Sequence, residues 1–236
     1  MIAWLDSDSP FPPVEQATTD PNGLLAAGGD LSITRLVNAY SQGIFPWYNE
    51  DQPILWWSPN PRMVLFPAEL KVSRSLSRTL RTTRFEVRAD TAFREVVEGC
   101  RNPRQYQNGT WINSAIVDTY CDLHRAGMAH SVETWLGTKL VGGLYGVALG
   151  RMFFGESMFM RATDASKVAL VTLVRQLECW GFGMVDCQMT TAHLASFGAR
   201  EISRAEFTRR LRELVHYPPV PVPWQIGATK VNPGLT

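Results

Sequence analysis

From Leu140 to Phe159 the chain reads LVGGLYGVALGRMFFGESMF, and two apolar runs flank a break at Gly150-Arg151. This pattern predicts two strands joined as a hairpin. Glycines weaken a strand and often mark a bulge or the close approach of another backbone or of a ligand. The first arm contains Gly142, Gly143, Gly146 and Gly150. In the second arm Glu156 lies between apolar pairs, where a carboxylate must find a partner, shift its pKa or line a polar site.

The segments around this hairpin predict a mixture of strands and helices. Residues 131–136 alternate as a strand before it, and residues 184–189 form a short strand after it. A long apolar helix between them begins at Thr163 or Asp164, and Ser203 begins a capping box for a last helix. Strands followed by a helix, a strand and a helix are typical of an α+β fold with a mixed sheet.

The N-terminal quarter differs from the rest of the chain, and its sequence predicts a separate unit. Ser32 is a suitable N-cap for a helix that ends at Gly43, and Asp90 is a suitable cap for a later one. The Pro59-Asn60-Pro61 break is a candidate boundary. We therefore expect a small N-terminal domain over residues 1–61 and a larger mixed-sheet domain over residues 62–236.

Composition excludes several classes of protein. The 236 residues are 45% apolar and 19% charged, which is ordinary for a globular chain. The N-terminus has no signal-peptide pattern and no apolar run is long enough to span a bilayer, so we expect a soluble cytoplasmic protein. Four cysteines without a Cys-x-x-Cys pair argue against zinc and disulfides. No phosphate-binding glycine motif follows a strand, so nucleotide cofactors are not expected.

Positive charge is concentrated in the middle of the chain. Residues 1–60 carry one basic and seven acidic side chains, whereas residues 61–104 carry ten basic and five acidic ones. Five cations recur every three or four positions with no acidic residue between them: Lys71, Arg74, Arg78, Arg81 and Arg84. On a helix they would form one basic stripe suited to phosphates, and the alternative is a solvated helix face.

Aromatic residues are concentrated between Trp47 and Trp57, in a proline-broken segment that is not a regular helix. This segment is either the core of the small domain or a surface on which bases stack. Two further polar groups, Asp186 and Gln188, lie in an apolar strand at a spacing that places them on one face. They and Glu156 form either a buried polar network or a site where the carboxylate orients the amide.

Several separated motifs together resemble a single family. They are Gly43-Ile-Phe-Pro-Trp47, Trp56-Trp57-Ser-Pro-Asn-Pro-Arg62, Gly109-Thr-Trp111-Ile112, Leu140-Val-Gly-Gly-Leu-Tyr145-Gly, Phe154-Gly-Glu156-Ser-Met158-Phe159, Ala165-Ser166-Lys167 and Asp186-Cys-Gln188. In this order, over about Pro21 to Phe207, the chain resembles the leucyl/phenylalanyl-tRNA–protein transferases. The resemblance implies a catalytic domain similar to the N-acetyltransferase (GNAT-like) superfamily.

The resemblance also implies the reaction. Leucine or phenylalanine, and less well methionine, would move from aminoacyl-tRNA to the α-amino group of a protein beginning with Arg or Lys, for bacterial N-end-rule degradation. The tRNA ester is already activated, so the reaction implies no cofactor and no metal. Asp186 would orient Gln188 to draw the proton from the amine, while Glu156 holds the cationic N-terminal residue. A proton shuttle through the terminal ribose of the tRNA is equally compatible.

The remaining implied roles concern substrate binding. Trp47, Trp111 and Tyr120 would stack or pack at the terminal adenosine, and the basic stripe would hold the acceptor stem. The glycines of the first arm would let the aminoacyl end lie against the sheet. The apolar pocket would be lined by Leu144, Phe153, Met158, Leu170, Leu173, Leu177 and Val185. Leu173 and Leu177 replace phenylalanines that are often found in the family.

Two other functions remain as alternatives. A CoA-dependent N-acetyltransferase would need a pyrophosphate-binding glycine turn before a helix, and the sequence has none. A non-catalytic RNA-binding module would keep the basic stripe and the tryptophans. It would have no use for Glu156, Asp186 and Gln188 in apolar strands.

Overall fold

The computed structural model describes residues 2–82, 85–101 and 112–226. The strands are β1 (Ala3–Leu5), β2 (Leu24–Gly28), β3 (Phe45–Pro46), β4 (Leu55–Trp57), β5 (Arg62–Leu65), β6 (Glu86–Ala89), β7 (Ala129–Leu136), β8 (Lys139–Leu149), β9 (Met152–Met160), β10 (Met184–Gln188) and β11 (Arg200–Ile202). The α-helices are α1 (Ile33–Ser41), α2 (Arg74–Thr82), α3 (Phe93–Arg101), α4 (Ser114–Arg125), α5 (Ala165–Cys179), α6 (Ala192–Ala195) and α7 (Arg204–Leu214). Within these residues no helix is both long and apolar enough to cross a membrane.

A small sheet occupies the N-terminal part, with the strand order β1-β2-β4-β3. Trp56 of β4 is fully buried, donates its Nε1–H to the carbonyl oxygen of Gly28 at 2.9 Å and meets the Phe11 ring edge-on. Trp47 instead keeps 43% of its surface exposed. Each of the two predictions for the aromatic segment therefore holds for one tryptophan: Trp56 belongs to the core of the small sheet, and Trp47 remains available for stacking.

The larger sheet has the strand order β11-β5-β10-β9-β8-β7-β6. Strands β9 and β10 run parallel, and α5 connects them as a crossover helix. All other neighbouring pairs of this sheet are antiparallel, including the predicted β8–β9 hairpin. The mixed sheet with a crossover helix confirms the α+β class.

The glycines of β8 make room for the protein's own atoms. A Cβ on Gly142 would lie 2.6 Å from the Ala165 Cβ at the start of α5, and one on Gly146 would lie 2.2 Å from the Phe154 carbonyl oxygen. The prediction that the aminoacyl end uses this space is wrong at these two positions, because helix and strand atoms already fill it. The close approach of another backbone, the other prediction, is confirmed.

Two of the predicted helix caps form side-chain hydrogen bonds and two do not. Ser32 and Ser203 accept hydrogen bonds from the third residue of their helices, as predicted, and Asn113 does the same at the start of α4. Asp164 precedes α5 with a positive φ of 64° and makes no side-chain cap bond. Asp90 does not cap α3. Its backbone has a positive φ of 57°, and its carboxylate accepts from the Ser131 amide and contacts His130 Nδ1.

Two apolar clusters fill the interior. The first is continuous from the small sheet and α1 to α3, α4 and the central strands, and includes Leu36, Trp56 and Phe154. The second lies between the large sheet and α5, and includes Phe153 and Leu173. The predicted boundary at residue 61 falls between β4 and β5, which belong to different sheets. The division into two domains at that point stays a prediction.

Candidate active site

Asp186 of β10 forms a buried two-point ion pair with Arg62 of β5. Arg62 Nε and Nη2 donate to the two carboxylate oxygens at 2.8 and 2.7 Å, and neither side chain is more than 1% exposed. The guanidinium lies between the rings of Phe45 and Phe207, with centroid distances of 4.7 and 4.6 Å. Opposite charges at this separation compensate each other, so the pair holds β10 against β5 without an isolated buried charge.

Gln188 points away from Asp186 because the strand is bulged between them. Asp186 pairs with Val64 and Gln188 with Met63, so Cys187 is an extra residue in β10. Gln188 has a positive φ of 60°, and its backbone N–H donates to Asp186 Oδ1 at 2.9 Å. Its side-chain Nε2–H donates to Glu156 Oε1 at 3.3 Å. Asp186 thus positions Gln188 through its main chain, not through its amide as the strand periodicity predicts.

Glu156 also lies at a bulge. In the hairpin, Tyr145 pairs with Ser157 and Gly146 with Gly155, which leaves Glu156 as the extra residue of β9. A bulge redirects a side chain, and here it directs the carboxylate toward α1 and α4. The Tyr40 hydroxyl of α1 lies 2.7 Å from Oε1 and the Tyr120 hydroxyl of α4 lies 2.8 Å from Oε2, both within hydrogen-bond distance.

The environment of Glu156 favours its neutral form. Its pKa is raised from 4.5 to about 7: burial is the largest cause and the negative charge of Asp186 adds to it, while hydrogen bonds donated to the ionised form by Tyr40, Tyr120 and Gln188 lower the pKa. A carboxyl group with a pKa near neutrality can accept and release a proton at physiological pH. Glu156 is therefore a candidate acid–base group of this site.

The residues of the predicted apolar pocket lie in the second cluster. Six are buried and Met158 is partly buried against them; the six are Leu144, Phe153, Leu170, Leu173, Leu177 and Val185. Strands β8 and β9 supply one wall of this cluster, α5 supplies another, and β10 supplies Val185. The structure therefore brings together residues that lie as far apart in the sequence as Leu144 and Val185.

The three residues predicted to contact the terminal adenosine differ in their exposure. Trp47 is exposed, and its carbonyl oxygen accepts from Trp57 Nε1 at 2.6 Å, which ties it to β4. Trp111 lies outside the described residues. Tyr120 is fully buried, with its hydroxyl bonded to Glu156 and Tyr40, so its ring packs in the core and has no face open for stacking. For Tyr120 the structure corrects the stacking expectation in favour of packing next to Glu156.

The basic stripe begins later on the helix than the sequence predicts. Arg74, Arg78 and Arg81 lie on one face of α2, exposed to solvent, whereas Lys71 precedes the helix and Arg84 lies outside the described residues. Neither these three arginines nor Lys71 forms an ion pair with a carboxylate of the described part of the chain. Unneutralised arginines on one helix face remain suited to phosphate oxygens.

Sequence reasoning missed two residues of the site. Arg62 was only part of a motif, although a lone cation at the start of the apolar run Met-Val-Leu-Phe is the kind of signal that Glu156 gave. Tyr40 lies on a helix, and nothing in the local sequence indicates that its hydroxyl meets a carboxylate 116 residues away. Among the described residues no group of three or more His, Cys, Asp or Glu side chains is placed to hold a metal ion.

The arrangement of Glu156, Gln188 and the Arg62–Asp186 pair indicates a class of protein. A neutral-range carboxyl group beside a fixed amide, supported by a buried ion pair on a mixed sheet, is characteristic of an enzyme that transfers protons during its reaction. A binding module alone would not need to hold such a group between two tyrosines.

Comparison with known proteins shows the enzyme family of this chain. The sequence model described as leucyl/phenylalanyl-tRNA protein transferase matches residues 64–212, and the model of the N-terminal domain of the same enzyme matches residues 29–60. The chain belongs to the leucyl/phenylalanyl-tRNA protein transferase family.

Curated relatives with the name leucyl/phenylalanyl-tRNA–protein transferase include the following two. The one from Nitrosospira multiformis is 64% identical over 92% of this chain and 94% of its own length. The one from Nitrosomonas europaea is 64% identical over 91% of each chain. Among solved structures, a GCN5-related N-acetyltransferase from Kribbella flavida overlaps with 71% of this chain and 60% of its own, at 8% identity and a TM-score of 0.37.

Proposed function

We propose that this chain moves leucine or phenylalanine, and less well methionine, from aminoacyl-tRNA to the α-amino group of proteins that begin with Arg or Lys. The reaction is direct aminolysis of the tRNA ester in the cytoplasm, and the product enters bacterial N-end-rule degradation. The observation that carries the proposal is Glu156, a carboxyl group with a pKa of about 7 next to the Gln188 amide. Its pKa lies close to the ordinary value of about 8 for an α-amino group.

The chemistry needs little beyond these groups. The aminoacyl ester supplies an activated carbonyl carbon, so the protein must orient the amine, accept its proton and place the ester beside it. Glu156 in its ionised form attracts a cationic N-terminal residue and discriminates against a neutral one. The Arg62–Asp186 pair fixes the main chain of Gln188, and with it the position of the amide against Glu156.

The second apolar cluster supports leucine and phenylalanine as the transferred residues. The seven predicted pocket residues carry only aliphatic, aromatic and thioether side chains, so a charged aminoacyl group would lose its hydration without gaining a partner among them. Leu173 and Leu177 on α5 leave more space than phenylalanines would. A difference on the scale of a methylene group alters the preference between two aminoacyl groups by about 1–3 kcal/mol.

A transfer assay tests the proposed function. Radiolabelled leucyl-tRNA is incubated with a model protein that begins with Arg, and with the same protein beginning with Met. We expect label on the Arg protein alone, because Glu156 favours a cationic N-terminal residue. The same Arg protein with an acetylated α-amino group is the control and should receive none. Equal labelling of the Arg and Met proteins would contradict the acceptor preference, and no labelling of either would contradict the function.

The arginine face of α2 gives a second prediction, about tRNA binding. Replacing Arg74, Arg78 and Arg81 by Gln should weaken binding of aminoacyl-tRNA uniformly across tRNA sequences, because these cations contact phosphates and not bases. The slope of log Kd against log salt concentration should fall by roughly 2–3, about 0.7–0.9 for each lost phosphate contact. Filter binding over a range of salt concentrations measures both quantities.

The matched control changes the same net charge elsewhere. Arg94, Arg125 and Arg209 are each paired with a carboxylate, to Asp118, Asp122 and Glu206 respectively. Their replacement by Gln should leave the salt slope in place. An equal loss of slope in both triple variants would show that net charge, and not the face of α2, attracts the tRNA.

A further inference from the structure

The side chains of Tyr40, Tyr120 and Glu156 lie together, and each contacts the other two. Tyr40 Oη lies 2.7 Å from Oε1, Tyr120 Oη lies 2.8 Å from Oε2, and the two hydroxyl oxygens are 2.5 Å apart. Each of these contacts is short enough to require a hydrogen between its oxygens. Each tyrosine supplies one hydrogen, so an ionised Glu156 leaves one pair of oxygens in contact without one. A neutral Glu156 supplies the third hydrogen.

Gln188 determines which oxygen of Glu156 carries that hydrogen. Oε1 accepts from Gln188 Nε2 at 3.3 Å and from Tyr40, so it is the carbonyl oxygen of the acid. The proton then lies on Oε2, which donates to Tyr120. Tyr120 in turn donates to Tyr40, and Tyr40 donates to Oε1, which closes a ring of three hydrogen bonds.

The charges and hydrogen-bond partners around Glu156 are consistent with a neutral carboxyl group in the resting state. Asp186 brings a negative charge, which Arg62 compensates through two hydrogen bonds. Tyr145 of β8 packs edge-on against the Tyr120 ring with a centroid distance of 5.3 Å, and its buried hydroxyl has no partner among the described residues. Among the described residues, Glu156 forms no ion pair with a cation. Burial, the main cause, raises its pKa to about 7.

We propose that Tyr40, Tyr120 and Glu156 form a closed hydrogen-bonded ring in the resting enzyme, and that loss of the Glu156 proton opens the ring and creates the base for transfer. This inference rests on the proposed function, since it names the proton acceptor of that reaction. Tyr40 and Tyr120 are positioning residues, and Glu156 is the catalytic one.

The proposed step balances. Ionised Glu156 takes one proton from the α-ammonium group of the acceptor protein, and the free nitrogen attacks the ester carbonyl carbon. The new C–N bond forms and the ester C–O bond breaks. The departing ribose oxygen takes the second proton that the nitrogen loses, and the amide keeps the third. Glu156 releases its proton to solvent before the next reaction.

Carbon-13 NMR of protein labelled at the glutamate Cδ tests the ring without any transfer assay. Glu156→Gln identifies the Glu156 signal, which we expect to titrate near pH 7. In Tyr40→Phe or Tyr120→Phe the midpoint should fall by about one pH unit, because the neutral form loses two ring bonds and the ionised form loses one. Tyr145→Phe is the matched control, since its hydroxyl lies outside the ring, and it should leave the midpoint in place.

Opposite results are expected if no ring exists. A tyrosine that simply donates to a carboxylate lowers the carboxyl pKa, so its removal would raise the midpoint. A raised or unchanged midpoint in the two phenylalanine variants therefore overturns the proposal, as does a wild-type midpoint in the ordinary range of glutamate. The two variants change different helices, so one that fails to fold leaves the other to decide.

The pH dependence of leucine transfer tests the role of the base. We expect kcat/KM to rise with pH through the Glu156 midpoint measured by NMR, and Glu156→Gln to lose this rise together with about 10²–10⁴-fold in rate. If transfer proceeds but does not follow that midpoint, the base assignment is wrong and the proposed function stands. If wild-type protein transfers nothing, the proposed function fails, while the NMR titration still reports on the ring.

Discussion

Replacement of Asp186 by alanine should lower the free energy of unfolding by about 3–5 kcal/mol, because it leaves the buried Arg62 guanidinium without its partner. Arg62 cannot turn to solvent, since its guanidinium lies between the rings of Phe45 and Phe207 and is 1% exposed. Leucine transfer should be lost as well, because the Gln188 backbone N–H loses its acceptor and the amide is no longer fixed against Glu156. Urea unfolding and the transfer assay measure the two effects.

A second variant separates stability from activity. In Arg62→Met/Asp186→Leu no charge remains buried, and such apolar replacements of a buried ion pair are often neutral or stabilising. The double variant should therefore regain most of the unfolding free energy while transfer stays absent, with tRNA binding within a few fold of wild type. Unfolding of Asp186→Ala at the wild-type urea concentration would contradict the stabilising role of the pair. Transfer by the double variant would contradict its role in positioning Gln188.

Local signals predicted the larger elements correctly. The hairpin follows from two apolar runs around Gly150, α5 from its apolar periodicity, and α7 from the capping box at Ser203. These signals act over a few residues, within the reach of turn and cap chemistry. The three-residue strand β1 and the two-residue strand β3 are too short to show a period, so only their pairing in the small sheet reveals them.

The site residues could be predicted individually but their contacts could not. Glu156, Asp186 and Gln188 are conspicuous because polar groups in apolar strands need partners. Strand alternation predicts that the Asp186 carboxylate contacts the Gln188 side chain. This prediction is wrong, because the bulge at Cys187 adds one residue and places the two side chains on opposite faces. The actual partner of Asp186, Arg62, is 124 residues away and meets it through strand pairing across the sheet.

Close packing beside the Glu156 bulge explains why the hairpin requires glycine. Gly146 and Gly155 are paired across β8 and β9, directly beside the bulged Glu156. Neither requires a positive φ, so what distinguishes them is the space that a side chain would enter. A Cβ on Gly146 would lie 2.2 Å from the Phe154 carbonyl oxygen and 2.6 Å from Cζ of Phe153, whereas one on Gly155 would meet only the Asp186 carbonyl oxygen, at 3.4 Å.

Gly146→Ala should therefore lower the free energy of unfolding by about 1–3 kcal/mol or more, because the strand and the Phe153 ring must both move. At roughly 2–4 °C per kcal/mol for a chain of this size, thermal unfolding should detect the change readily. Gly155→Ala is the matched control and should unfold within a degree or two of wild type. Equal destabilisation by the two variants would show that strand flexibility, and not the packing of Phe153 and Phe154, requires glycine here. Because Phe153 lines the predicted aminoacyl pocket, the shifted ring in Gly146→Ala should also raise the KM for leucyl-tRNA, while the salt slope of tRNA binding stays unchanged.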